Sequence, residues 1–218
     1  MLLEDERAAV CEYARRMTAD GLVVGTSGNV SVRSGDLVAV TPTGVDYDVL
    51  TPGDITVVSL DGSVVDGELR PTSELPMHLT VYREAADPEG APVAAVVHTH
   101  SVHATAVSTL VDEVPPIHYM LAVIGPSARV ASYATYGTPE LAEAMLAALK
   151  GRRGCLLANH GTVTYGKDLA AAYHRAQQLE WLCRLWLLAR SAGTPALLPQ
   201  PEIEHIVTRL RGYGQPPR

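Results

Sequence analysis

Apolar residues with a helical rhythm first appear at Val10, Ala14 and Met17, on one face of a segment spanning residues 4–20. Gly21 follows as a C-terminal stop. The longest periodic stretch opens at Asp168, a good N-cap, and ends near Gly193. Within it Leu169, Tyr173, Ala176, Leu179, Cys183 and Trp186 recur three or four residues apart, which predicts a buried face. Another helix is expected over 139–150 behind the cap Thr138. A further one should start at Ser73, with Pro76 tolerated in its first turn.

Short apolar runs predict strands at 22–24 and 37–40. Residues 55–60 and 63–65 flank Asp61-Gly62, a hairpin signal. Runs at 93–97 and 155–158 lead into His98-Thr99-His100 and Asn159-His160-Gly161, and read as two strand-to-helix units. Strands alternate with helices, yet the tight hairpin requires antiparallel pairing, so a mixed sheet covered by helices is expected. No repeat or linker interrupts the 218 residues, which suit a single α/β domain.

Composition narrows the partners. The formal charge is −7, and the 17 basic residues form no cluster beyond Arg152-Arg153, read as a solvated turn. This argues against nucleic acid or an anionic membrane as partner. Cys11, Cys155 and Cys183 are far apart with no C-x-x-C spacing, as expected of reduced core thiols in a cytoplasmic chain. The acidic start carries no signal-peptide core, and no segment has the apolar length of a membrane span.

Candidate chemistry sits at the ends of the predicted elements. Strand side chains repeat every second residue, so His98 and His100 should project from one face. Alone they are either ordinary polar residues at a strand end or half of a metal site. His160, at the end of another apolar run, and Glu74, just before a helix, favour the metal reading. Three imidazoles suit a divalent first-row ion, above all zinc, with a position left for carboxylate, water or substrate. Three polar loops, 26–29, Thr43-Gly44 and Thr72-Ser73, could offer N–H donors to a phosphate. Taken singly, each reads more readily as a turn or a cap. Neither a P-loop nor a dinucleotide fingerprint is present. His78 is read as an orienting or core residue. His103, His118, His174 and His205 are read as structural or surface groups, and Glu180 as the solvent edge of the long helix.

In order along the chain, Gly25-Thr26-Ser27-Gly28-Asn29-Val30-Ser31, Thr41-Pro42-Thr43-Gly44, Thr72-Ser73-Glu74-x-x-Met77-His78, His98-Thr99-His100-Ser101 and Ala158-Asn159-His160-Gly161 resemble the class II aldolase/epimerase family. Ile117-His118-Tyr119-Met120, 133–138 and Tyr213-Gly214 extend the resemblance over nearly the whole chain. It implies a single class II aldolase-like domain over 1–218, with a central, mostly antiparallel mixed sheet flanked by helices. It implies one zinc ion per subunit on His98, His100 and His160, with Glu74 at the metal as acid/base. Asn29, Thr43, Gly44, Thr72 and Ser73 would hold a substrate phosphate. Tyr119 would reach into a neighbouring subunit's site and Tyr213 would help close it, in a four-fold homotetramer. The implied reaction cleaves a ketose 1-phosphate of the L-fuculose 1-phosphate kind to dihydroxyacetone phosphate and a small aldehyde such as lactaldehyde.

Two departures from the family pattern stand out: Thr72 where Ser is frequent, and Tyr136 where Phe is frequent. The second adds a hydroxyl near the implied aldehyde pocket. Alternatives within the family are a pentulose-5-phosphate 4-epimerase or a methylthioribulose-phosphate dehydratase. A third alternative is a non-catalytic, adducin-like interaction domain.

Overall fold

In the computed structural model, which describes residues 1–210, eight strands form one sheet that carries the rest of the chain. The strands are β1 (Asn29–Ser34), β2 (Leu37–Val40), β3 (Thr56–Ser59), β4 (Val64–Asp66), β5 (Ala95–Thr99), β6 (Val130–Ala131), β7 (Gly154–Leu157) and β8 (Gly161–Gly166). They lie in the order β4-β3-β2-β1-β5-β8-β7-β6. Every pairing is antiparallel except β6 with β7, so the sheet is mixed but mostly antiparallel.

Helices α1 (Glu4–Ala19), α2 (Leu75–Glu84), α3 (Val102–Ser108), α4 (Pro139–Leu149), α5 (Leu169–Ala192) and α6 (Gln200–Leu210) cover it. On one face Val10, Ala14 and Met17 of α1 and Tyr173 and Ala176 of α5 pack on Val30, Val57 and Val97. On the other, Met77 and Val81 of α2 and Leu141 and Met145 of α4 pack on Val58, Val96 and Val163. The C-terminal half of α5 joins α3, α6 and a short 3₁₀ turn at Tyr119–Val123 in a third cluster. The six periodic apolar residues read from α5 are all buried. Asp168 and Thr138 cap their helices, accepting from the N–H groups of Ala171 and Leu141. Among the described residues, no helix is long and apolar enough to cross a membrane.

Four local readings need correction. Residues 22–24 are loop, not strand: Gly21 and Gly25 have positive φ, and only Leu22 and Val23 turn into the core. The N-cap position of α2 falls on Glu74 rather than Ser73. His160 lies in the turn joining β7 to β8, a hairpin rather than a strand-to-helix unit, with Asn159 at φ 57° making the reversal. Finally, Arg152 and Arg153 are buried, not solvated. Arg152 donates to Ser127 Oγ and Arg153 forks onto the Asp87 carboxylate.

Candidate metal centre

Strand register assembles the site. Asn29 of β1 pairs with His98 of β5, and Thr99 of β5 pairs with Thr162 of β8. Gly161 lies against the end of β5, where a Cβ would overlap the Thr99 carbonyl. Only glycine lets β8 start there, and His160 is therefore carried to the side of His100. His98 and His100 do share a face, as their spacing requires. Glu74 reaches the same point from the start of α2, on the helix face turned to the sheet.

The result is one convergent donor set. His98 Nε2 lies 2.9 Å from His100 Nε2, and His160 Nε2 lies 3.1 Å from His100 Nε2. Glu74 Oε2 is 3.0 Å from His98 Nε2, and Oε1 is 3.2 Å from His160 Nε2. The four ligating atoms all fall within 4.8 Å of one another. A tetrahedral zinc site with Zn–N bonds near 2.0–2.1 Å holds its nitrogens about 3.3 Å apart, so the spacing fits a small divalent ion.

Two details of polarity agree. His98 Nδ1 is 2.9 Å from the Thr162 carbonyl oxygen, which can only accept, so Nδ1 carries a hydrogen and Nε2 is the atom turned to the site, a ligand to a cation whenever the ring is neutral. Glu74 Oε1 is buried without a hydrogen-bond partner despite its closeness to His160. A buried carboxylate oxygen left without a partner at a cluster of imidazole lone pairs is what a cation would satisfy.

Charge is strongly organised here. Burial opposes ionisation of Glu74, but His98 and the contacts from His160 and Asn29 outweigh it and hold the carboxyl well below the usual range. For His98 the penalty of burial is overcome by Glu74 and by the Thr162 carbonyl, and its pKa rises. His100 is pushed down to about 3 by burial, with His98 and His160 adding to the effect.

Above this set opens a cleft of about 420 Å³. Glu74, His100 and His160 line it, while fully buried His98 does not. Asn29, Thr43, Gly44, Thr72 and Ser73 all line it too, so the three polar loops meet at one cavity. Thr72 is buried and its Oγ1 accepts from the Glu74 N–H. The Asn29 side chain is largely engaged: Nδ2 donates to Glu74 Oε2, and Oδ1 faces His78 Nε2 at 2.5 Å.

Tyr133 and Tyr136 also border the cleft, with 67% and 65% of their surface exposed. Tyr119 does not border the cleft of its own chain. It sits half-exposed on the 3₁₀ turn, stacked on His118, which in turn meets Trp181 edge-on. Tyr213 lies outside the described residues. Glu180 is not the solvent-edge residue its position suggested. Its carboxylate accepts from the N–H groups of His103 and Ala104 and pairs with His103 Nδ1 at 2.5 Å. An acid between Ala176, Leu179 and Cys183 on an apolar face was the available signal.

A mixed antiparallel sheet between helices, with three histidines and a glutamate converging below loops rich in donors, defines a class of protein. The family described as the Class II Aldolase and Adducin N-terminal domain matches residues 8–187, and the chain belongs to it. The 5-deoxy-D-ribulose 1-phosphate aldolase of Bacillus thuringiensis is 39% identical over 217 residues, covering 99% of this chain and all of that protein. The L-fuculose phosphate aldolase of Escherichia coli is 40% identical over 207 residues, 94% of each chain. A solved structure of an L-fuculose 1-phosphate aldolase superposes with TM-score 0.91 at 37% identity, covering 97% of this chain and 98% of that one. With these relatives the chain stands as a class II aldolase, one of the metal-dependent lyases.

Proposed function

We propose that this enzyme is a zinc-dependent aldolase that reversibly cleaves a ketose 1-phosphate to dihydroxyacetone phosphate and a small aldehyde. The observation that carries this reading is the buried, ionised Glu74 beside three convergent imidazoles at the base of a donor-lined cleft. The named relatives act on 5-deoxy-D-ribulose 1-phosphate and L-fuculose phosphate, and a third, 37% identical, on 5-methylthioribulose 1-phosphate as well. A ketose 1-phosphate whose aldehyde half is short and ends in an apolar group is the common denominator. L-Fuculose 1-phosphate, which would give lactaldehyde, and 5-deoxyribulose 1-phosphate, which would give acetaldehyde, are both within it.

His98, His100 and His160 would hold the ion, with Glu74 at its open side. When bound, it supplies Lewis-acid stabilisation of the negative charge that develops on the triose half as C3–C4 breaks. Glu74, ionised in the resting site, is placed to return a proton to C3 and to remove it in the reverse direction. Thr43, Gly44, Thr72, Ser73 and Asn29, all lining the cleft, would fix the phosphate at the start of α2, where the helix dipole favours an anion. Binding energy from this non-reacting group then serves orientation.

Tyr119 of a neighbouring subunit would exchange the proton on the C4 oxygen that becomes the aldehyde, and Tyr213 would close the site. The exposure of Tyr119 in the single chain supports a role in a homotetramer with shared sites. The only lysines, Lys150 and Lys167, do not line the cleft, so no side chain there offers a Schiff base. The three free buried cysteines fit a cytoplasmic setting.

The test is to incubate the protein with L-fuculose 1-phosphate, 5-deoxyribulose 1-phosphate and several pentulose 5-phosphates and to assay dihydroxyacetone phosphate. Release from a 1-phosphate supports the aldolase reading. Isomerised pentulose 5-phosphate without release overturns it in favour of an epimerase.

A further inference from the structure

Behind Glu74 runs a hydrogen-bonded chain whose far members, His78, Ser31 and Tyr82, do not line the cleft. Glu74, His78 and Tyr82 are spaced by four and share the face of α2 turned to the sheet. Asn29 and Ser31 are spaced by two and share the face of β1 turned to α2. The two rows interdigitate. Asn29 Nδ2 meets Glu74 Oε2 at 2.9 Å, His78 Nε2 meets Asn29 Oδ1 at 2.5 Å, His78 Nδ1 meets Ser31 Oγ at 2.7 Å, and Ser31 Oγ meets Tyr82 Oη at 2.7 Å. All five side chains are buried.

The polarity of every bond follows from its end. An ionised carboxylate can only accept, so Asn29 turns its NH₂ to Glu74 and its carbonyl oxygen to His78. That oxygen also only accepts, so His78 Nε2 must carry the hydrogen. In a neutral ring Nδ1 is then the acceptor, which takes the single Ser31 hydrogen, and Tyr82 must donate to Ser31. Each donor points towards Glu74. Burial, together with the charge of His98, lowers the His78 pKa to about 3, so the ring is neutral.

We propose that His78 is a positioning residue for Glu74. Held as the Nε2–H tautomer by Ser31 and Tyr82, it fixes the Asn29 amide so that its NH₂, not its oxygen, faces the carboxylate. Oε2 is thereby engaged, and Oε1, buried without a hydrogen-bond partner, is turned to the imidazole cluster. Were His78 to carry its hydrogen on Nδ1, Asn29 would flip to satisfy Nε2 and set a carbonyl oxygen against a carboxylate. The catalytic consequence rests on the reading of Glu74 as the proton carrier; the tautomer does not.

Two measurements test this. In metal-free wild-type protein, proton–nitrogen correlation spectra of the histidine rings should show His78 as the neutral Nε2–H tautomer. A proton on Nδ1, or a charged ring at neutral pH, overturns the proposal. In the second, His78→Gln keeps an N–H where Nε2 was, whereas His78→Leu keeps only apolar bulk. His78→Leu should lower kcat by about tenfold or more, with KM and bound metal within about twofold. His78→Gln should restore kcat to within about threefold of wild type.

A packing role predicts the reverse order, with Leu better than Gln, and that result also overturns the proposal. If His78→Leu does not fold, Ser31→Ala serves instead. It should populate both tautomers and lower kcat, and an unchanged spectrum with reduced kcat would refute the link. A wild-type protein that shows the Nε2–H tautomer but releases no dihydroxyacetone phosphate would overturn the aldolase reading and leave the hydrogen-bond polarity standing.

Discussion

The Thr105 hydroxyl of α3 lies 2.8 Å from the carbonyl oxygen of Ser101 and 3.2 Å from that of His160, tying together the segments that carry His100 and His160. One turn on, Ser108 Oγ accepts from the Asn159 N–H at 3.0 Å and holds the left-handed residue that makes the β7–β8 turn. α3 is therefore a clamp on the histidine turn. Replacing Thr105 by Val removes the hydroxyl at nearly constant shape and should weaken metal binding about tenfold, as loss of a ligand's support typically does. Competition with a chelator would measure it, and an affinity equal to wild type would show the contact to be incidental.

Removal of a ligand should be more severe. His98→Ala and His160→Ala are each expected to lose most of the bound metal, because each leaves only two of the three imidazoles with the carboxylate. Elemental analysis of the purified variants decides this. Undiminished metal in both would move the site elsewhere.

Glu74→Gln is expected to be a lesion of chemistry rather than of folding. The amide preserves the shape of the side chain at the start of α2 but cannot take a proton, so kcat should fall on the order of a hundredfold or more. Circular dichroism should be unchanged, and a near-normal kcat would remove Glu74 from the role of proton carrier.

Tyr119 gives a test of subunit sharing. Glu74→Gln and Tyr119→Phe should each be nearly inactive, yet unfolding and refolding an equal mixture should restore activity to roughly a quarter of the sites. Each site then draws its carboxylate and its phenol independently from two chains. Hybrid oligomers verified by mass with no gain over the parents would place both groups in one chain or excuse Tyr119 altogether.

Acid should destabilise the metal-free protein, in part through His78. Its pKa falls from 6.5 to about 3 on folding. Between those values the unfolded chain binds a proton that the folded chain refuses, so stability declines as pH falls through that window. Glu74, held low in the folded state, adds a loss in the same direction at the acid end. The thermal midpoint should therefore drop from neutral pH to about 5, and drop less in His78→Gln. Equal slopes in the two proteins would show that His78 titrates normally.

Periodicity made the long elements legible. Asp168 and Thr138 announced their helices, Asp61-Gly62 announced a turn, and the α5 core residues were named from spacing alone. What failed was whatever depended on tertiary contact. Residues 22–24 look like a strand because two of the three are core residues, but the flanking glycines bend them out of the sheet. The turn at His160 is written in Asn159 and Gly161, yet an apolar run before it invites a helix after it. Arg153 reads as solvated until Asp87, sixty-six residues away, closes on it. The donor set itself was readable because strand parity fixes His98 and His100. The chain behind Glu74 was readable in principle from spacings of four and two, but choosing between core and orienting roles for His78 needed the register of β1 against α2.

Gly28 has a consequence for what the cleft can measure. With φ at 73°, it lies against β5 so closely that a Cβ would come within 2.5 Å of Val23 Cγ1 and 2.8 Å of the His98 carbonyl oxygen. The loop of residues 26–29 that lines the cleft is thus seated directly on β5, the strand that carries His98 and leads into His100. If the cleft holds a phosphate as proposed, such a span would act as a ruler, selecting substrates by the number of bonds between their phosphate and their reacting oxygens, whatever extends beyond. On the proposed reading, 1-phosphates would be favoured over 5-phosphates, with the far end of the sugar left free to vary.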